Sequence, residues 1–136
     1  MVKKRRTWLR IAIDTMHIQR TGNAVADKIK ICGALGSSIA ESCAVLELTV
    51  AELEEIMQDK RTITLGQRDW LVLYIRALWW WHCWRECRRE SSFESYLLQL
   101  ASDCAPIWGK VPRQLRQDWR SACLLYTSDA ADEEDS

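Results

Sequence analysis

The sequence predicts an all-α fold: a compact multi-helix domain with a helix-turn-helix candidate at its core and a long central Trp-rich helix. Three observations predict it. The 136 residues contain only five Gly and two Pro, so the residues that punctuate turns and loops are scarce. No segment shows the strict apolar and polar alternation of a half-buried strand. Polar residues that cap helices stand at the heads of successive apolar-periodic segments.

The elements follow in order. The basic opening MVKKRRTWLRIAI leads into a first helix near 7–20, or a basic arm over residues 1–20. Asn23 ahead of AVADKIKI caps a helix near 23–35, because an amide oxygen accepts from an orphan first-turn N–H. Four segments have the form of a capping box, in which Ser or Thr accepts from the N3 amide and Glu or Gln at N3 reaches back to the cap. They are SIAE (Ser38–Glu41), TVAE (Thr49–Glu52), TLGQ (Thr64–Gln67) and SSFE (Ser91–Glu94). They start helices near 38–46, 49–59, 64–89 and 92–104. Pro112 in the first turn of VPRQLRQDW starts the last, near 112–122. No internal repeat and no Gly, Ser or Pro linker divides residues 1–122, so a single helical domain is expected, long enough to bury a core without disulfide or metal support.

The stretch CLLYTSDAADE, Cys123 to Glu133, resembles the in-frame translation of the adaptor that transposase-based sequencing libraries attach to DNA ends. Residues 123–136 are therefore expected to be a non-native tail, with the natural chain continuing differently past Ala122. The charge reading changes with it. The whole chain balances 19 basic against 19 acidic residues, and five of the acids lie in 123–136, which leaves residues 1–122 at +5. The excess is uneven: residues 1–30 hold eight basic and two acidic groups, residues 31–59 six acidic and none basic. That polarity suits a charged partner, nucleic acid among them.

Two short helices separated only by about Glu47 and Leu48 have the form of a helix-turn-helix, whose second helix enters a major groove. Cys43, Leu46, Glu47, Leu48 and Thr49 fall where the Cro and lambda-repressor-like (XRE-type) family carries Ala, Leu, Gly, an aliphatic residue and Ser or Thr around the turn. The ending MQDKRTIT, Met57 to Thr64, is similar to the loop that follows the recognition helix in that family. The resemblance covers roughly residues 24–80. It implies a DNA-binding transcriptional regulator of phage or mobile-element type, reading double-stranded DNA through about residues 38–59. Thr49, Ala51, Glu52 and Glu55 would lie nearest the groove, with Lys60 and Arg61 on the backbone and Lys3, Lys4, Arg5 and Arg6 as an arm on phosphates or in a minor groove. Glu47 replaces the family's Gly, at a turn position that needs positive φ and costs a non-Gly residue about 1 kcal/mol.

Read from its own pattern, the reading helix turns Val50, Leu53, Ile56 and Met57 inward. Its outer face then presents Ala51, Glu52, Glu54, Glu55, Gln58 and Asp59. Carboxylates repel phosphate, and a Glu in the groove is favoured only against a cytosine amino group. The alternative function is accordingly a helical protein–protein interaction module without DNA binding.

WLVLYIRALWWWHCWRECRRE, Trp70 to Glu90, carries apolar stripes at Leu73, Ala77, Trp80, Trp84, Cys87 and at Trp70, Tyr74, Leu78, Trp81. A helix apolar around most of its girth is central in a core or buried against a second chain. Trp79, Trp80, Trp81 and Trp84 are the candidates for a homodimer or partner surface, since Trp is enriched at interface hot spots. The apolar run from Trp70 to Trp84 is 15 residues with Arg76 inside it, short of the roughly 18 to 20 a membrane helix needs. The N-terminal apolar run is broken by Arg10 and Asp14, which excludes an export signal. No membrane association and a cytoplasmic location are expected, with Cys32, Cys43, Cys83, Cys87 and Cys104 reduced. Zinc wants four convergent ligands; His82, Cys83, Cys87 and Cys104 include no second closely spaced Cys pair, so no metal is expected. Neither a phosphate loop nor a nucleophile elbow occurs, so no cofactor and no enzymatic activity are expected.

Overall fold

The computed structural model describes residues 21–86, 100 and 102–123. Four α-helices run in succession, α1 (Ala24–Ala34), α2 (Ile39–Leu46), α3 (Val50–Met57) and α4 (Leu65–Glu86). A 3-10 helix, η1 (Ala105–Lys110), and a last helix, α5 over 113–123, follow. No strand occurs among the described residues, and the fold is all-α as expected. The expected helix near 7–20, the Ser91 cap and most of the helix near 92–104 lie outside the described residues. The 3-10 turn was not anticipated; Pro106 in its first turn is the sequence signal for it.

Each cap signature within the described range forms. Asn23 Oδ1 accepts from the Ala26 amide at 3.1 Å. Ser38 with Glu41, and Thr49 with Glu52, close both arms of their boxes at 2.8 to 3.1 Å. Thr64 and Gln67 do the same at the head of α4.

The helix ends repeat one device. After α1, α2 and α3 the chain closes a Schellman pair, one bond spanning five residues and one spanning three: Ser37 to Cys32 with Gly36 to Gly33, Leu48 to Cys43 with Glu47 to Ala44, Lys60 to Glu55 with Asp59 to Ile56. Such a closure puts its C′ residue in the left-handed region. Gly36 is there at φ 101°, but Glu47 (56°) and Asp59 (62°) are there without being glycine.

Two amides tie these ends to helix starts elsewhere. Asn23 caps α1 with its oxygen and donates through Nδ2 to the Ile56 carbonyl in the last turn of α3, at 2.9 Å. Gln67 accepts from Thr64 with its oxygen and donates through Nε2 to the Leu46 carbonyl at the end of α2, at 2.8 Å. A carboxylate would serve the cap but has no proton to donate. That explains why the third box carries Gln where the first two carry Glu.

α4 is the central helix, packed against α1, α2 and η1. Its buried residues lie on several sides, Leu71, Tyr74, Ile75 and Leu78 on one stripe and Ala77, Trp80, Trp81 and Trp84 on the next. One apolar cluster runs from Ile29 and Ile31 of α1 through Leu46, Leu53 and Ile56 to Ile107, Leu115 and Ala122. Several polar groups inside it are paired, although the Trp80 indole Nε1 is buried there with no hydrogen-bond partner among the described residues. Tyr74 hydroxyl meets Ser37 Oγ at 2.5 Å, and Ser37 Oγ meets Ser42 Oγ at 3.2 Å, joining α4 to α2 through the turn between α1 and α2. Arg76, the charge in the middle of the apolar run, pairs with Asp103. Trp81 Nε1 donates to Asp118 of α5 at 2.7 Å, and the Arg85 guanidinium lies 4.2 Å from the Trp81 ring centre.

Candidate nucleic-acid interface

α2 and α3 are eight residues each, joined by Glu47, Leu48 and Thr49. The turn is held at both sides. Leu46 ends α2 fully buried, and Leu53 and Ile56 anchor α3 in the core. The Lys110 ammonium of η1 pairs with the Glu47 carboxylate and sits 4.4 Å from the Trp70 ring centre, so the left-handed turn residue is braced against α4.

The inward stripe of α3 is narrower than expected. Leu53 and Ile56 are buried, but Val50 is 50% exposed and Met57 36%. A two-turn helix offers its partners only its middle; Val50 at N1 and Met57 in the last turn overhang the packed patch. The outer surface of α3 therefore carries Val50 and Met57 in addition to Ala51, Glu54 and Gln58.

Thr49 is exposed, yet its hydroxyl and backbone amide are engaged in the cap with Glu52. Ala51 is exposed with no polar group to satisfy. The Glu52 carboxyl is held below the usual carboxylate range, first by the Thr49 backbone N–H that donates to it, then by the Thr49 hydroxyl, with the Arg61 charge adding the smallest contribution. Arg61 bridges two glutamates of α3, Nη1 to Glu52 at 3.3 Å and Nε to Glu55 at 3.0 Å. Sequence spacing gave no sign of this pairing, because Arg61 reaches back over the Schellman turn at Asp59. Lys60 is exposed, without a side-chain partner among the described residues. Thr49, Ala51, Glu52, Glu55, Lys60 and Arg61 thus share one neighbourhood, the start and outer face of α3 and the loop after it. Lys3, Lys4, Arg5 and Arg6 lie outside the described residues.

The tryptophans are placed otherwise than as a partner surface. Trp80, Trp81 and Trp84 are buried within the single chain, Trp80 and Trp84 stacked with ring centres 5.9 Å apart. Their area is consumed by the chain's own core, since α4 has neighbours on several sides. Of these four, Trp79, stacked on His82 at 5.6 Å, is the one that keeps part of its surface. Cys83 is half-buried, and Cys87 lies outside the described residues. Among the described residues no group of three or more His, Cys, Asp or Glu converges as metal ligands, and no helix is long and apolar enough to cross a membrane. Comparison with known families, curated proteins and solved structures returns no match to this chain.

Proposed function

We propose that the chain is a DNA-binding regulator of phage or mobile-element type that docks α3 on duplex DNA. The observation that carries this reading is the turn: two capped eight-residue helices joined by three residues with Glu47 left-handed, where the resemblance requires that conformation. Thr49, Ala51, Glu52 and Glu55 are the groove-side residues. Lys60, Arg61 and the Lys3–Arg6 segment supply phosphate contacts, which position the protein without reading sequence. Trp79 is the one member of the tryptophan group left to contribute to a homodimer.

Fluorescence anisotropy of the full chain on mixed duplex DNA tests it. Affinity is expected to fall steeply with salt through counterion release, and Lys60→Ala to reduce the slope of log affinity against log salt by about 0.9. No binding at low salt by a folded sample refutes the proposal. A second reading, the helical protein-interaction module, is favoured by the acidic outer face of α3 and by the commitment of Arg61 to its glutamates. It predicts no binding to duplex DNA at any salt.

A further inference from the structure

We propose that Arg61 is an electrostatic latch: the carboxylates of Glu52 and Glu55 hold its guanidinium on the body of α3 in the unbound protein, and a duplex phosphate takes it from them. The inference rests on the DNA-binding reading and deepens it. Three observations point to it.

The guanidinium is clamped by two carboxylates at once, at 3.3 and 3.0 Å. Both lie on the helix that the proposed function turns toward the groove. The clamp is solvent-facing, with side-chain exposures of 41% for Arg61, 32% for Glu52 and 45% for Glu55. Exposed pairs of this kind are weak and salt-screened, so a phosphate can compete for the guanidinium, which prefers bidentate oxygen partners of either kind. Glu52 is further retained by its cap with Thr49, which leaves it in place when Arg61 departs. Glu55 has no cap role, so its bond to Arg61 Nε is the adjustable part of the clamp.

The latch lowers affinity for any polyanion by keeping a cation occupied and two anions on the approaching face. Its opening requires a phosphate within reach of residue 61 when α3 is seated. A duplex bound in another pose meets the clamp closed.

The test is a set of full-chain variants titrated with a mixed-sequence duplex across 20 to about 200 mM salt, the range over which counterion release dominates. Glu55→Gln loosens the clamp, Arg61→Gln removes the latch residue, and their combination measures coupling. Glu54→Gln, on the same helix but with no bond to Arg61 among the described contacts, controls for loss of one negative charge. Glu55→Gln is expected to raise affinity about two- to fivefold more than Glu54→Gln, with the salt slope unchanged because Arg61 reaches its phosphate in both. In the Arg61→Gln background the two substitutions are expected to have equal effects. Equal effects of Glu54→Gln and Glu55→Gln with Arg61 present overturn the latch while leaving DNA binding intact. Failure of every variant to bind, in samples with native helical circular dichroism, overturns the DNA-binding reading and the latch together.

Discussion

Replacing Gln67 by Glu separates the two jobs of that side chain. The oxygen that accepts from the Thr64 amide at 2.9 Å is retained, so the capping box survives. The Nε2 donor to the Leu46 carbonyl at 2.8 Å is lost, and a carboxylate oxygen faces a carbonyl oxygen at the negative end of α2. A neutral hydrogen bond contributes about 0.5 to 1.5 kcal/mol net, and an anion at a helix C-terminus costs about 0.3 to 1 kcal/mol more. Gln67→Glu should therefore destabilise the fold by about 2 kcal/mol at pH 7, with a drop in Tm of about 6 to 10 °C for a chain of this size. By contrast Glu41→Gln, in a box with no second bond, should change stability by less than about 0.5 kcal/mol. Urea unfolding of wild type and variant at pH 7 measures the gap. A variant as stable as wild type would refute the role assigned to Nε2.

Three further outcomes are expected. Asp59→Gly should stabilise by about 1 kcal/mol, because it relieves a left-handed non-glycine residue and removes a carboxylate from the C-terminus of α3; a lower urea midpoint for the variant contradicts this, and Glu47→Gly should gain less because it also gives up the Lys110 pair. Trp80→Ala should cost about 3 to 5 kcal/mol as a buried large-to-small change, and Trp79→Ala under about 1.5; equal losses in thermal unfolding would mean that Trp79 too is core. Burial pushes the Cys32 and Cys104 thiols up to about 12, so iodoacetamide at pH 8 should modify half-buried Cys83 well before either; peptide mass analysis showing Cys32 or Cys104 modified first would contradict their burial.

The helix starts were legible because a cap is a local event: Asn23, Ser38, Thr49 and Thr64 each act within four residues of chain. The helix ends were less so. Gly36 announces a left-handed stop, whereas Glu47 was readable only through its place in a family pattern, and Asp59 gave no signal. Periodicity located Leu53 and Ile56 but over-extended the stripe to Val50 and Met57, since it carries no information on how far a neighbour reaches along a two-turn helix. The same limit affected the tryptophans. Their spacing showed a helix too apolar for one face, and only the packing of α1, α2 and the C-terminal segment around α4 decided that Trp80, Trp81 and Trp84 are covered from within. In the site, the bridge from Arg61 to Glu52 and Glu55 depends on a chain reversal that charge counting along the sequence does not reveal.

The two amide ties cross. One joins the head of α1 to the tail of α3, the other the head of α4 to the tail of α2, so each closes a loop of chain around an intervening helix. Fraying, which ordinarily begins independently at each helix terminus, is thereby pooled. Loosening the end of α2 withdraws the acceptor from Gln67 and releases the start of α4; loosening the end of α3 does the same to α1. Amide protons at these four termini should exchange with solvent through shared openings rather than four separate ones, and the segment from Asn23 to Gln67 should respond to a bound ligand as one body.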